Sequence, residues 1–153
     1  MKRVLALSLI GTLALASCNQ ANVTGTAKTY TFAAQTQTGY TAQAATASRT
    51  DLNTGDTSTV LKASGLKPST AYIAHYHLAG ADTSNGVCAS GGAVQNGLIG
   101  GTPFTSDASG NLTIKGLATT SDIAVGNVKY INIHESATPS VVPLCANLTL
   151  AAK

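Results

Sequence analysis

The chemistry in this chain is concentrated in three histidines, His75, His77 and His134. His75 and His77 stand two residues apart in a stretch rich in β-formers, Thr70 to Leu78. On a strand that spacing puts both imidazoles on one face, within chelating reach of a single ion. His134 ends a second alternating stretch, in which Ile131 and Ile133 take the core side and turn Asn132 and His134 outward. Three neutral imidazoles form a donor set that serves Cu(I), Cu(II) or Zn(II) and leaves one position for water or a small anion. The same three residues would also fit unrelated surface positions, since a short His-x-His motif is weak by itself. Two things add weight to the metal reading. Every histidine falls on an expected strand, and the His-x-His strand runs directly into a loop containing Cys88.

The elements that must position these side chains are all β. Thr, Ala, Val, Ile and Tyr dominate, Gly, Asn and Ser punctuate, and no long stretch has a helical period. Strands are expected at 28–37, 40–50, 58–63, 70–78, 112–117, 129–135 and 144–151. Turns are expected at Asn53–Asp56, at Leu66–Ser69 and at Asp107–Asn111, the last as a hairpin turn. Such short strands at regular spacing predict a sandwich or Greek-key barrel. Residues 80–103 form a long Gly-rich connection, a length associated with function. Tyr76 lies between the paired histidines and is expected in the core. Asp82 reads as a turn residue, with a hydrogen bond to an imidazole as its alternative, and Glu135 reads either as such a partner or as solvated.

The N-terminus sets the compartment. Lys2 and Arg3 precede an almost wholly apolar run from Val4 to Ala16, too short for a membrane span and typical of a signal peptide. The run ends Leu15-Ala16-Ser17-Cys18, which resembles a bacterial lipobox. The expected organisation is a signal peptide at 1–17, a lipid-anchored linker at 18–27 and one domain at 28–153. Acyl chains on Cys18 would hold the protein at a membrane of the cell envelope, periplasmic or at the outer surface. Without Lys2 and Arg3, seven basic side chains face six acidic ones. That near-neutral balance gives no electrostatic footprint for nucleic acid. Of the three cysteines, Cys18 is taken by lipid, which leaves Cys88 and Cys145 as a natural disulfide pair in an exported protein.

Five segments together resemble the copper-zinc superoxide dismutase family, in order and in approximate spacing over most of the mature chain. Leu66-Lys-Pro-Ser-Thr-Ala-Tyr-Ile-Ala-His75-Tyr-His77 is similar to the strand carrying two copper ligands in that family. Asn85-Gly-Val-Cys88-Ala-Ser-Gly-Gly92 is similar to the loop that follows it. Asp107-Ala-Ser-Gly-Asn-Leu-Thr113 is similar to a later hairpin, Ile131-Asn-Ile-His134-Glu135 to the strand of the third copper ligand, and Leu144-Cys145-Ala146 to the last strand. The resemblance implies an eight-stranded Greek-key β-barrel, copper on its outer face held by His75, His77 and His134, a Cys88–Cys145 disulfide, and a homodimer.

The departures are as specific as the matches. Val94 stands where the family has the histidine bridging copper to zinc, residues 93–103 replace the zinc-binding stretch, and Val142 stands where the family has an anion-attracting arginine. No zinc site is therefore expected. The resemblance implies a copper-only enzyme that converts superoxide to oxygen and hydrogen peroxide, with superoxide or copper ions as its partners. Two alternatives belong to other classes. One is a copper-buffering or delivery protein without turnover. The other is a structural β domain, since chordin-type (CHRD) domains also carry an Asn-x-His strand like Asn132-Ile-His134.

Overall fold

The computed structural model describes residues 23–149. Residues 1–22, with the expected signal peptide and Cys18, and residues 150–153 lie outside the described part. The chain forms an antiparallel two-sheet sandwich. Its strands are β1 (Gly25–Thr31), β2 (Ala33–Ala34), β3 (Ala44–Leu52), β4 (Asp56–Ser64), β5 (Ala71–His77), β6 (Val94–Gln95), β7 (Phe104–Thr105), β8 (Leu112–Thr119), β9 (Tyr130–Glu135) and β10 (Leu144–Asn147). One sheet runs β1-β3-β4-β8, and the other β2-β10-β9-β5-β6 with β7 also paired to β5. Three of these segments are two-residue pairings, and the other seven answer to the seven strands expected along the sequence.

Alternation drives the assembly. Ala45 and Ala47 on β3, Leu61 and Ala63 on β4, and Leu112 and Ile114 on β8 point inward. They meet Tyr72, Ala74 and Tyr76 on β5, Ile131 and Ile133 on β9, and Leu144 and Ala146 on β10. Tyr30 and Phe32 are buried on either side of the point where the chain passes from β1 in one sheet to β2 in the other. A strand that switches sheets in this way makes a corner of the sandwich. Gly25–Ala27, the end of the expected linker, already pair with β3.

Two expectations are corrected. The strand expected from Tyr40 begins at Ala44. Tyr40 instead follows a turn at Gly39 (φ 85°) and is spent as a cap. Its hydroxyl lies 2.8 Å from Tyr72 Oη and donates to Glu135 Oε1 at 2.6 Å. The Asp107–Asn111 turn forms, with Asp107 Oδ1 accepting from the Ser109 and Asn111 amides at 2.8 Å each, but it is not a hairpin. It carries the chain from β7 in one sheet to β8 in the other. Gly110 is tied there because a Cβ would come within 2.2 Å of the Leu66 carbonyl oxygen, whose own amide donates to Gly110.

Arg49, inward on β3, is 2% exposed. Its Nε and Nη2 reach Asp51 Oδ1, and its guanidinium lies 5.5 Å from the centroid of the Tyr76 ring. Arg49 is therefore part of the sandwich interior, on the opposite side of the β5 sheet from the histidines.

Candidate metal centre

β5 and β9 are neighbours in the six-stranded sheet, and their register pairs Ile73 with His134, His75 with Asn132 and His77 with Tyr130. With Tyr72, Ala74, Tyr76, Ile131 and Ile133 committed to the core, alternation sends all six of these side chains to the outer face. The three histidines converge there as the sequence predicts. Their ligand atoms lie within 4.8 Å of one another, and each residue is only 7–8% exposed.

The long connection after β5 covers this face. Leu78 N donates to Ala93 O, and Gly80 N donates to Ser90 Oγ, which folds the loop back on itself. Gly92 sits so close that a Cβ would fall 1.8 Å from the Leu78 carbonyl oxygen. The 3-10 turn Val87–Ala89 packs on β9 and β10. The Cys88–Cys145 disulfide fastens it, with Cα atoms 6.0 Å apart. The bridge indicates an oxidising, exported environment. No helix among the described residues is long and apolar enough to cross a membrane.

The hydrogen bonds fix two tautomers. His77 Nδ1 donates to the Gly92 carbonyl at 2.7 Å, and His134 Nδ1 donates to the Pro139 carbonyl at 2.5 Å. A carbonyl can only accept, so both rings carry their proton on Nδ1 and a lone pair on Nε2. His77 Nε2 lies 2.9 Å from His75 Nδ1. His134 Nε2 is buried without a hydrogen-bond partner among the described residues. A buried orphan acceptor requires an explanation, and here it is a lone pair aimed among two other imidazoles.

The residues fit a metal ion. Bonds of about 2.0–2.1 Å to imidazole nitrogen place two such ligands no more than roughly 4.2 Å apart, so shifts of well under about 1 Å close the trio on one ion. Carbonyl partners on the remote nitrogens are the usual means of orienting such ligands. The centre also favours neutral rings. Burial lowers all three histidines, and His75 is pushed down to about 4 by burial and then by its neighbours His134 and His77.

A pH prediction follows for the metal-free protein. The unfolded chain takes up these protons near the ordinary value of about 6.5, before the folded one does. Stability is therefore complete above about pH 6.5 and declines as the pH falls toward the lowered folded values. Thermal melts from pH 7 to 4 should show a steadily falling Tm, and the His75→Phe variant should show a shallower fall. A flat profile would contradict the neutral buried trio.

Several residues that carry the site were not evident from sequence. Tyr130 stacks on His77, with ring centroids 4.5 Å apart and planes within 5°, and its hydroxyl accepts from Gly92 N at 2.9 Å. Its position four residues before His134 on one strand was the available signal. Gly92 and Pro139 act through their backbone carbonyls, which side-chain motifs do not reveal. Neither acidic candidate partners an imidazole here. Asp82 Oδ1 caps the Ser84 amide at 2.8 Å, and Glu135 pairs with Lys67 at 2.5 Å and accepts from Tyr40. Alternation turns Glu135 away from the outer face. Val94 lies opposite His77 in the β5–β6 ladder, and Val142 is half-buried just before β10.

No known family model matches the chain, and no curated protein is significantly similar to it.

Proposed function

We propose that this protein is a copper-binding lipoprotein of the cell envelope that dismutes superoxide, as a copper-only relative of the copper-zinc superoxide dismutases. The observation that carries the reading is the convergence of three buried, neutral imidazoles, one with an unpartnered Nε2. The donor set alone suits copper and zinc equally. The choice of copper rests on the sequence resemblance, as does anchoring through lipid on Cys18. The position of Val94 beside His77 accords with that alignment, because the resemblance places the bridging histidine there.

In this reading His75, His77 and His134 hold the metal, Gly92 and Pro139 fix two tautomers, and Tyr130 closes one face of the His77 ring. Copper would supply the one-electron change between its two oxidation states that dismutation to oxygen and hydrogen peroxide requires. Val94 and Val142 can neither carry a proton nor attract an anion, so protons come from water and superoxide arrives with little arginine steering. The copper-loaded protein should therefore accelerate superoxide decay with a rate that changes less than about twofold between low and physiological salt. Pulse radiolysis or stopped flow measures this directly.

The burial of the trio and the interior position of Arg49 also favour a second reading, in which the same site holds and passes on copper without turnover. One equivalent of tightly held copper with no acceleration of superoxide decay would replace the enzyme with that reading.

A further inference from the structure

The centre has a second orphan. Asn132 is 6% exposed, and its Oδ1 is buried without a hydrogen bond among the described residues. Its surroundings limit what could donate to it. In register across the sheet it stands between Cys145 on β10 and His75 on β5. All three side chains are on the outer face, and cross-strand neighbours on one face have Cβ atoms about 4.5–5.5 Å apart. Cys145 is in the disulfide and has no proton to give. Along β9 on the same face, the Tyr130 hydroxyl lies at Gly92, and the N–H of His134 is committed to Pro139. His75 remains.

His75 is also the one imidazole of the trio whose remote nitrogen has no carbonyl partner. Facing the His77 Nε2 lone pair, His75 Nδ1 must carry a proton in the metal-free protein. To ligate through Nδ1, His75 must move that proton to Nε2, and the new N–H then needs an acceptor. We infer that Asn132 is that acceptor: a positioning residue whose Oδ1 takes the His75 Nε2–H and selects the metal-binding tautomer. The inference rests on the metal reading above. It makes the third remote nitrogen equivalent to the other two, with an amide side chain in place of a backbone carbonyl.

The assignment has two effects of opposite sign. Leucine at this position removes an orphaned buried acceptor, so metal-free Asn132→Leu should be at least as stable as wild type. The same variant should bind Cu(I) about 10- to 100-fold more weakly, the usual cost of losing a partner behind a metal ligand. Asn132→Asp keeps an acceptor oxygen and should recover Cu(I) affinity to within about threefold. Cu(I) is diamagnetic, so long-range proton–nitrogen correlation spectra of the loaded protein can read the His75 tautomer. Wild type and Asn132→Asp should show protonated Nε2, with its hydrogen protected from exchange, and Asn132→Leu should lose that protection. Equal Cu(I) affinity and an unchanged His75 signature in Asn132→Leu would overturn the assignment while leaving the metal centre intact. Failure of the wild-type protein to bind Cu(I) would overturn both.

Discussion

His134→Ala should abolish copper binding at micromolar concentrations while leaving the sandwich folded. His134 supplies a buried ring nitrogen that has no hydrogen-bond partner among the described residues, and it comes from β9, whereas the other two ligands come from β5. Removing it leaves a His-x-His pair on one strand, whose nitrogens face each other 2.9 Å apart. The expected loss is on the order of 10³-fold in affinity, or about 4 kcal/mol. The fold should tolerate the change. The ring is outside the apolar core of Ile131 and Ile133, and its orphaned atom contributes nothing to the stability of the metal-free protein. The readout is thermal. Copper at 100 times its Kd should add about 2.7 kcal/mol to the stability of wild type and nothing to that of the variant. An equal rise in Tm for both proteins would place copper elsewhere on the chain.

The second large effect concerns the disulfide. Replacing both Cys88 and Cys145 by serine opens a loop of sequence separation 57. In the chain-entropy model a loop of that size is worth about 4 kcal/mol. A single domain of this size should lose roughly 15 °C in Tm. The local consequence is more specific. The bridge fastens the 3-10 turn to the sheet, and that turn begins the path to Gly92, the partner of His77 and Tyr130. Copper affinity should therefore fall in the double serine variant even at temperatures where it remains folded, whereas a surface staple would change Tm alone. Denaturant melts paired with copper titrations at 10 °C separate the two.

Much of this was legible from the order of residues. Ile131 and Ile133 fix which side of β9 is core, and period two then places His134 outward without further information. The same rule pairs His75 with His77 and sends Tyr76 inward, and the cysteine count gives the bridge. What stayed hidden depends on backbone and on partners distant in sequence. Tyr40 belongs to a strand by composition, but hydrogen bonds to Tyr72 and Glu135 hold it in a turn. The Asp107–Asn111 signature encodes a turn faithfully, yet local chemistry cannot say that the strands on either side belong to different sheets. The glycines of the loop after β5 look like low-complexity spacing. Gly80 and Gly92 are required because each passes within 1.8 Å, at a built Cβ, of a carbonyl on the facing segment. Glu135 follows a metal-ligating candidate directly in sequence and, by the alternation of the strand, serves the other face.

The most direct test is the stoichiometry and coordination of copper in the purified protein. Titration with Cu(I) against a competing chelator, followed by oxidation and electron paramagnetic resonance, reads both. The centre described here predicts one equivalent, bound with a sub-micromolar Kd, and hyperfine splitting from three nitrogens that is lost in His134→Ala. Absence of binding, or a copper signal that survives removal of His134, would contradict it.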